Sequence, residues 1–355
     1  MAEKVLVCGG AGFIGSSLAL GLKQTHPGWQ MICLDNLKRR GSELNLGRLK
    51  DANIQFVHGD IRCAGDLDPA VFDVDIVIDC SAEPSVLAGF SSPEYVLQTN
   101  LVGTINILEL ARKVKAKLLF LSTSRVYPIE ALKSIAIIEA ETRYTLTAQQ
   151  NLPGLSTKGV SENFSLKGYR SLYGTTKLAS ELLIEEYRHA YGLQAIVNRC
   201  GVVTGPWQMG KVDQGVFVLW VAAHYFGKPL KYLGYGGTGK QVRDLLHVGD
   251  LLNLVEHELS HFDDLDGEIF NVGGGLDVSL SLLETTKVCQ MLTGKTISIE
   301  PVEIERPGDI PLFMMDTSYV QAKTGWQTRY SAEQTLRDIY AWLSEHDSIL
   351  RPILA

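Results

Sequence analysis

The chain lacks the features that mark secreted, membrane-bound and nucleic-acid-binding proteins. Among its 355 residues, the six cysteines are scattered over positions 8, 33, 63, 80, 200 and 289 without paired spacing, which favours free thiols and a reducing, cytoplasmic compartment. No signal-peptide pattern opens the sequence, and no apolar run is long enough for a membrane helix. Acidic residues outnumber basic ones by 40 to 33 and the net charge is −7. No basic stripe is present, so we expect neither nucleic acid nor a membrane surface as a partner.

Internal repeats and low-complexity tracts are also absent, and the hydrophobic (45%) and charged (21%) fractions are ordinary for a globular protein. The first half of the chain instead alternates short apolar runs with amphipathic stretches. The runs KVLVC, QMICLD, IQFVHGD, DIVIDC, KLLFLS and QAIVN are typical of strands, and several are apolar throughout, as buried parallel strands are. This alternation predicts an α/β fold with a doubly wound parallel sheet of the Rossmann type.

A smaller second lobe is expected where the alternation weakens. After about Gly201, glycine-rich turns such as YGGTGK and NVGGG replace the regular strand–helix pattern, and a helix is predicted near residues 331–344. We therefore assign residues 1–200, together with about 244–275, to a first, ligand-binding domain. Residues 201–243 and 276–355 are assigned to a C-terminal substrate-binding lobe.

The segment GGAGFIG follows the first predicted strand and opens a helix. Its glycines, Gly9, Gly12 and Gly15, permit a tight turn, a close approach of the backbone to a pyrophosphate and tight packing of helix on strand. The helix N-terminus adds N–H donors, so this context predicts a dinucleotide site. A glycine turn without a ligand is the alternative. Asp35 ends the next predicted strand, where a carboxylate would bind the adenosine ribose and favour NAD over NADP; the basic run 38–40 leaves that choice open.

Two further strand ends point to the same ligand. HGDIR places Asp60 and Ile61 where an adenine edge would lie, and IDCSAEPS places Ser81 and Ala82 beside the expected pyrophosphate and nicotinamide ribose. Each segment alone means little, because strand ends are often polar. Together they lie at the carboxyl ends of parallel strands, where doubly wound sheets bind their ligands.

The motifs GGAGFIG, HGDIR, NLVGTINILELAR, LSTSRVY and LYGTTK, in this order, resemble those of the extended short-chain dehydrogenase/reductase family of sugar-nucleotide epimerases and dehydratases. The resemblance covers nearly the whole chain. It implies a catalytic trio of Thr123, Tyr173 and Lys177. It also implies NAD as the cofactor, with contacts from Gly9, Gly12, Phe13, Ile14, Gly15, Asp35, Asn36, Arg40, Asp60, Ile61, Ser81, Ala82, Asn100, Tyr173, Lys177 and Cys200.

The trio suits the oxidation of a sugar hydroxyl. Tyrosine is a poor base at neutral pH unless a nearby positive charge favours its phenolate form. Tyr173 and Lys177 are four residues apart on a predicted helix and therefore share one face, so Lys177 would reach both the tyrosine and a nicotinamide ribose. Thr123 would bind the substrate oxygen while Tyr173 takes the hydroxyl proton.

In the second lobe, VNRCGVVTGPWQMGKVDQG, GTGKQVRDLLHV and RPGD resemble, within the same family, the 2-epimerases of CDP-linked deoxyhexoses. The resemblance implies that Arg243 and Arg306 bind the nucleotide diphosphate, a role that suits guanidinium geometry. Ion pairs between the lobes are the alternative for both. The other expected substrate contacts are Ser124, Arg125, Gln208, Lys211 and Gln214. We therefore predict NAD-dependent epimerisation of a nucleotide-linked sugar through a transient keto intermediate, with a CDP-linked deoxyhexose favoured.

Another reaction of the family, such as 4-epimerisation, dehydration or decarboxylation, is the nearest alternative. The 4,6-dehydratases carry Asp-Glu directly after the catalytic Thr, where this chain has Ser124 and Arg125, and this difference favours epimerisation. The alternative from a different class is a non-catalytic dinucleotide sensor. Such sensors usually lose the Tyr and Lys that this chain keeps.

Three other segments carry expectations of their own. The long segment 129–172 would suit a lid, from which Glu162 and Phe164 would face the sugar.

HELSH, His257 to His261, matches a zinc pattern but continues a predicted helix without a third ligand, so we expect no metal. The helices at 100–113 and 173–191 would pair copies of the chain into a homodimer or homotetramer, as the resemblance implies.

Overall fold

The computed structural model describes residues 3–210 and 214–355. Its strands are β1 (Lys4–Cys8), β2 (Gln30–Asp35), β3 (Gln55–His58), β4 (Ile76–Asp79), β5 (Lys117–Thr123), β6 (Ile137–Glu139), β7 (Tyr144–Leu146), β8 (Leu155–Ser156), β9 (Gly159–Val160), β10 (Ala195–Cys200), β11 (Val202–Thr204), β12 (Leu230–Leu233), β13 (Val242–His247), β14 (Ile269–Val272), β15 (Ser279–Ser281), β16 (Ile299–Val302) and β17 (Leu312–Phe313).

Its α-helices are α1 (Phe13–Thr25), α2 (Asn45–Asp51), α3 (Ala88–Ser91), α4 (Pro93–Leu97), α5 (Gly103–Val114), α6 (Ile129–Lys133), α7 (Leu172–Tyr191), α8 (Val216–Phe226), α9 (Val248–Ser260), α10 (Leu282–Thr293), α11 (Ser318–Thr324), α12 (Ala332–Glu345) and α13 (Asp347–Leu354). A π-helical turn, Gln98–Val102, joins α4 to α5. Within residues 3–210 and 214–355, no helix has both the length and the apolar character that a bilayer crossing requires.

A seven-stranded sheet has the order β14-β10-β5-β4-β1-β2-β3, and five of its strands come from residues 4–123. β1 pairs in parallel with β2 on one side and with β4 on the other, and β2–β3 and β4–β5 are also parallel. The strand order therefore reverses beside β1, which is the switch point of a doubly wound sheet. The predicted fold class is confirmed.

The apolar composition of the strands explains their central position. All four residues of β4 are buried, as are the last six of β5, which is the pattern of parallel strands covered by helices. On one side of the sheet, Leu6 and Val77 from the strands pack with Leu108 of α5 and Ile184 of α7. These contacts fix α7, the helix that begins with LYGTTK, against the sheet.

The chain divides into two compact units. The first unit comprises Met1–Val126, Leu172–Arg199 and Leu252–Phe270, and the second comprises Tyr127–Ser171, Cys200–Leu251 and Asn271–Ala355. In the second unit, β13 pairs in parallel with β11 and β17 and antiparallel with β15. A capping box between Ser281 and Glu284 starts α10. The helix predicted near residues 331–344 is observed as α12, with Ser331 as its N-cap.

The segment from Tyr127 to Ser171 is folded into the second unit by specific bonds. The Tyr144 N–H donates to the Lys240 carbonyl (3.0 Å) and the Val160 N–H to the Met314 carbonyl (2.9 Å). It contains α6 and two short hairpins, β6–β7 and β8–β9. A loop without secondary structure of its own would have suited a lid better.

Glu162 and Phe164 make their contacts inside the same unit. The Glu162 carboxylate accepts the Asn271 N–H at 2.7 Å. Phe164 is 3% exposed and packs edge-on against Tyr127, with ring centroids 5.9 Å apart. Both side chains therefore have structural contacts within this unit, and the expectation that they face the sugar stays a prediction.

Candidate active site

The glycine-rich turn between β1 and α1 is built without room for side chains. The Gly12 N–H donates to the Gly9 carbonyl at 3.0 Å, and Gly9 has a φ of +71°. A Cβ on Gly9 would lie 3.0 Å from the backbone of Ser81, and a Cβ on Gly15 would lie 2.2 Å from the Gly9 oxygen. Gly12 caps α1 without a side-chain bond. The N–H groups of the first turn, where Phe13 and Ile14 lie, therefore remain available to an anion.

Two side chains hold this turn in place from outside it. The Ala11 N–H donates to Asp35 Oδ2 (3.1 Å), and Asn45 Nδ2 donates to the Ala11 carbonyl (2.9 Å). Arg48 in turn donates to Asn45 Oδ1 at 2.8 Å. Sequence analysis missed Asn45 and Arg48, because nothing in DNLKRRGSELNL indicates that it folds back onto the glycine turn.

Asp35 ends β2 beside the turn, as predicted from the sequence. Its Oδ1 also accepts the Leu37 N–H at 2.8 Å. Burial raises the pKa of Asp35, and the N–H donors of Leu37 and Ala11 oppose that rise. Each carboxylate oxygen can accept more than one hydrogen bond, so the group retains capacity for ribose hydroxyls.

The end of β3 carries a charged cluster. Arg62 Nε and its terminal nitrogen bind the Asp60 carboxylate at 2.9 and 2.6 Å, and Asn36 Nδ2 donates to the same carboxylate at 3.0 Å. The hydrogen bond from Arg62 lowers the pKa of Asp60 to about 2, which keeps this group ionised at neutral pH. Ile61 is 6% exposed and belongs to the core, whereas Arg40 is exposed.

The loop after β4 links the glycine turn to α7. Ser81 donates its N–H to Asp79 Oδ1 at 2.9 Å, and its carbonyl accepts Lys177 Nζ at 3.4 Å. Ala82 follows Ser81 and is partly buried. The Asn100 amide accepts the Glu83 N–H (2.8 Å) and donates to the Glu83 carbonyl (3.1 Å). Asn100 thus fixes this loop, and a further role as a cofactor contact stays a prediction.

Thr123, Tyr173 and Lys177 all lie in the first unit. Thr123 is the last residue of β5, and its Oγ1 accepts the Arg125 N–H at 3.2 Å. The Thr123 hydroxyl is the acceptor in this bond, so its own hydrogen is not used in it. Tyr173 is the second residue of α7. The exposed fractions of the three residues are 7%, 8% and 2%, so all three residues are buried.

Lys177 is held in a defined electrostatic environment. Its ammonium lies 4.2 Å from the centre of the Phe120 ring on β5, a favourable position for a cation. Burial raises the pKa of Asp79, and the positive charge of Lys177 opposes that rise. The lysine is therefore a buried positive charge placed one helical turn after Tyr173, which is the arrangement that favours a tyrosine phenolate.

The predicted substrate residues lie in different environments. Arg243 donates to Asp309 Oδ1 at 2.7 Å, and Arg306 lies 3.7 Å from Asp309 Oδ2, so both arginines share one carboxylate within the second unit. Burial lowers the pKa of Arg243, and Asp309 opposes the decrease. Ser124 begins a short 3₁₀ turn after β5 that also contains Arg125.

Two of the remaining predicted contacts, Gln208 and Cys200, lie at or near β10 and β11. Gln208 Nε2 donates to the Val203 carbonyl at 3.0 Å, and its Oε1 accepts the Thr204 hydroxyl at 2.9 Å. Cys200 ends β10 and is 6% exposed. Gln214 is partly buried, and Lys211 lies outside the described residues.

The HELSH segment comprises the last four residues of α9 and His261, which follows the helix. His257 and His261 stack with ring centroids 4.2 Å apart, while Glu258 is fully buried and its Oε2 accepts Asn198 Nδ2 at 2.8 Å. Across residues 3–210 and 214–355, His, Cys, Asp and Glu side chains form no group of three that would hold a metal. Glu258 is therefore part of the buried interior of the first unit, where it is hydrogen-bonded to Asn198 of β10.

Glu258→Gln is expected to stabilise the protein more at alkaline pH than at acidic pH. Burial raises the pKa of Glu258 from 4.5 to about 8. The parent therefore loses up to about 1.4 kcal/mol of unfolding free energy for each pH unit between those values, and the loss is complete above the folded pKa. The glutamine variant lacks this titration. Urea unfolding of both proteins at pH 5 and pH 8.5 measures the effect, and a stability difference that does not grow with pH would contradict it.

The doubly wound sheet, the glycine turn after β1 and the Tyr–Lys pair on α7 are the features of a dinucleotide-dependent enzyme of the Rossmann class. The model of the NAD dependent epimerase/dehydratase family matches residues 5–273. The chain belongs to this family, and its cofactor is NAD.

Relatives of the chain match over almost its full length. The CDP-paratose 2-epimerase of Salmonella typhi is 31% identical over 350 residues, which cover 96% of this chain and 99% of that protein. Among solved structures, a double mutant of dTDP-glucose 4,6-dehydratase from Streptomyces venezuelae, with NAD bound, is 26% identical with a TM-score of 0.80, over 98% of this chain and 99% of that chain. The UDP-glucose 4-epimerase of Thermus thermophilus in complex with NAD is 25% identical with a TM-score of 0.76, over 96% and 99%.

Proposed function

We propose that this protein epimerises a nucleotide-linked sugar, and that its substrate is a CDP-linked deoxyhexose inverted at C2. The observation that carries the reaction type is the trio Thr123, Tyr173 and Lys177, which are buried at the carboxyl end of β5 and the start of α7. The choice of CDP and of C2 is supported by the similarity to a CDP-paratose 2-epimerase over nearly the whole of both chains.

When bound at the glycine turn, NAD would supply the hydride acceptor for the sugar carbon and the hydride donor to the opposite face of that carbon. Tyr173 removes the proton from the sugar hydroxyl, which leaves a transient keto sugar, and gives the proton back in the second half of the cycle. The buried ammonium of Lys177 stabilises the phenolate form of Tyr173. The hydroxyl of Thr123 donates a hydrogen bond to the reacting sugar oxygen. Between the two half-reactions, the keto sugar rotates and presents its other face.

NAD is assigned to the first unit. The glycine turn and the first residues of α1, Phe13 and Ile14, would hold the pyrophosphate. The turn leaves no room for a side chain on Gly9 or Gly15, and the start of α1 presents backbone N–H groups. Asp35 would bind the adenosine ribose. The other proposed contacts in this unit are Asn36, Arg40, Asp60, Ile61, Ser81, Ala82, Asn100 and Lys177. Cys200, which belongs to the second unit, is also proposed as a contact.

The nucleotide diphosphate is assigned to Arg243 and Arg306 in the second unit. Asp309 binds both arginines and so keeps two guanidinium groups near each other. A diphosphate brings one anionic group for each guanidinium, and charge-assisted hydrogen bonds of this kind are strong. Ser124, Arg125, Gln208, Lys211 and Gln214 are proposed as weaker contacts to the nucleotide or sugar.

A 4,6-dehydratase activity is the second candidate, because relatives with that name match the chain at 28% identity. Dehydration needs an acid and a base to eliminate water, and the dehydratases that the sequence resembles carry Asp-Glu after the catalytic Thr. Here Ser124 and Arg125 occupy the 3₁₀ turn that follows Thr123. Neither side chain is a carboxylic acid, which favours epimerisation.

A thermal-shift screen with CDP-, UDP-, GDP- and dTDP-linked sugars tests the nucleotide. We expect the CDP-sugar to raise the melting temperature most, since a ligand present at 100 times its dissociation constant adds about 2.7 kcal/mol to the unfolding free energy. A shift of about 2–4 °C corresponds to such a gain. A larger shift with another nucleotide would overturn the CDP assignment alone.

Isotopic labelling tests the reaction. With a CDP-linked deoxyhexose deuterated at C2, the epimerised product is expected to retain the deuterium, because the hydride returns to the carbon that it left. Unlabelled substrate in deuterated water should give product without deuterium at C2. Deuterium gained at C2 from the solvent, or protein that carries no nicotinamide and converts no nucleotide sugar, would contradict the proposal.

We also propose a homodimer or homotetramer in the cytoplasm. Leu182 and Tyr191 on α7 are 58% and 60% exposed, which would suit pairing through this helix, whereas Leu108 is fully buried and Leu183 packs against the core. All six cysteines are free, which supports a reducing compartment. Light scattering gives the mass in solution, and a monomer would contradict the pairing.

A further inference from the structure

A buried ion pair lies on the same helix as the Tyr–Lys pair. Glu181 on α7 and Arg199 on β10 have side chains that are only 2% and 5% exposed. Arg199 Nε lies 3.2 and 3.1 Å from the two carboxylate oxygens, and its terminal nitrogen donates to Glu181 Oε2 at 2.7 Å. This is a forked, charge-assisted contact with a fixed geometry.

A third side chain joins the pair from the neighbouring strand. The Ser122 hydroxyl donates to Glu181 Oε1, and Ser122 directly precedes Thr123 on β5. β5 and β10 are adjacent in the sheet. Glu181 is therefore bonded to two strands, and one of these strands presents Thr123.

The spacing along α7 relates this cluster to the proposed catalytic groups. Tyr173, Lys177 and Glu181 follow one another at intervals of four residues, so all three lie on one face of the helix. All three are buried. A bond at Glu181 therefore constrains both the height of this face above the sheet and its rotation about the helix axis.

Apolar packing alone would hold α7 on the sheet without the free-energy cost of removing two charged side chains from water. Ile184 and Leu183 already do so, and replacing a buried ion pair by apolar side chains of similar size is often neutral or stabilising. Apolar contacts tolerate small sliding and rotation, whereas forked hydrogen bonds do not. A displacement of about 1 Å of a reacting group costs on the order of 100-fold in rate, so precise placement matters more here than stability.

We propose that Glu181 is a positioning residue, which through Ser122 and Arg199 fixes α7 so that Tyr173 and Lys177 face Thr123. This inference rests on the proposed function, because it assigns the cluster a role in turnover. Glu181 itself touches neither sugar nor cofactor in this role. Its effect is on the geometry of the three groups that do.

The decisive variant replaces the ion pair without leaving a buried charge. Glu181→Leu combined with Arg199→Met is expected to keep the melting temperature close to that of the parent. It is also expected to lower kcat about 100-fold, with KM within about twofold, since binding groups stay while alignment is lost. Ser122→Ala removes only the bond to β5 and is expected to lower kcat about tenfold.

The matched control breaks another ion pair of α7. Arg188 binds Asp266 at 3.1 Å near the far end of the helix. Arg188→Met combined with Asp266→Asn is expected to change the melting temperature and to leave kcat within about twofold.

Two outcomes separate this inference from the proposed function. If the parent converts its substrate and the Glu181/Arg199 double variant keeps kcat within about twofold of the parent value, the positioning role is wrong and the cluster only stabilises the fold. If the double variant does not fold, the kcat of Ser122→Ala decides, and a value within about twofold of the parent overturns the positioning role. If the parent converts no nucleotide sugar, the proposed function fails, and crystal structures of the parent and the variant decide the positioning role. A change above about 0.5 Å in the distance from Thr123 Oγ1 to Tyr173 Oη supports it, and an unchanged distance overturns it.

Discussion

Tyr173→Phe is expected to lower kcat on the nucleotide sugar about 1000-fold or more while NAD and the nucleotide sugar bind as they do to the parent. The substitution removes one oxygen from a side chain that is 8% exposed and leaves the ring that packs there. Proton transfer by a positioned side chain contributes on the order of 100- to 10,000-fold in rate. Steady-state kinetics together with calorimetric titration of both ligands measures the two quantities separately.

The same helix offers a matched control. Tyr187 donates its hydroxyl to Glu109 at 2.8 Å, and Tyr187→Phe makes the identical chemical change about four turns further along α7. We expect it to cost some stability, about 1 kcal/mol for one hydrogen bond, with kcat within about twofold of the parent. A Tyr173→Phe enzyme that retains more than about a tenth of the parent kcat would show that another group takes the proton.

Gly15→Ala is expected to reduce NAD affinity by about 100-fold or more and to lower the melting temperature. The new Cβ would lie 2.2 Å from the Gly9 oxygen, 2.8 Å from the Gly9 carbonyl carbon and 2.9 Å from the Gly10 Cα. All three atoms are backbone, so the turn itself must move and its N–H groups lose their alignment on the pyrophosphate. Calorimetric titration with NAD and thermal denaturation measure the two effects.

Gly47→Ala in α2 is the control for this substitution. No atom lies within 4 Å of a Cβ built on Gly47, so alanine gains helix propensity, up to about 1 kcal/mol, at no steric cost. We expect unchanged NAD affinity and equal or higher stability. If Gly15→Ala binds NAD like the parent, the glycine turn does not cradle the pyrophosphate as proposed.

The fold class was predictable because its signals are local. Each of the six predicted strands of the first half is observed as a strand of the large sheet, since an apolar run bounded by polar residues indicates a buried strand without reference to the rest of the chain. The seventh strand, β14, was missed. Its sequence, IFNV, runs directly into glycines and was taken as part of a turn-rich region.

The candidate site was predictable only in part. The glycine turn and the Tyr–Lys pair have fixed spacings within one stretch of sequence, and the structure places them as those spacings require. Asn45 was missed, because its bond to the Ala11 carbonyl spans 34 residues. Ser122 and Glu181 are 59 residues apart, and no periodic pattern relates them. The length of segment 129–172 is visible in the sequence and led to the expectation of a lid, which stays a prediction. Its backbone bonds to Lys240 and Met314 could not be predicted, because they join residues far apart in sequence.

The sequence by itself determined the doubly wound sheet, the glycine turn after β1 and the helical face shared by Tyr173 and Lys177. Backbone sterics and hydrophobic periodicity act between near neighbours, so these features follow from local composition. Only the tertiary structure decided that Glu181 is bonded to two strands, that the Phe120 ring lies 4.2 Å from the Lys177 ammonium, and that Asp309 binds both Arg243 and Arg306. Apart from the pair Arg306 and Asp309, these contacts join residues distant in sequence. Burial makes the bonds of Glu181 and Arg243 energetically significant, because these side chains cannot turn to water instead.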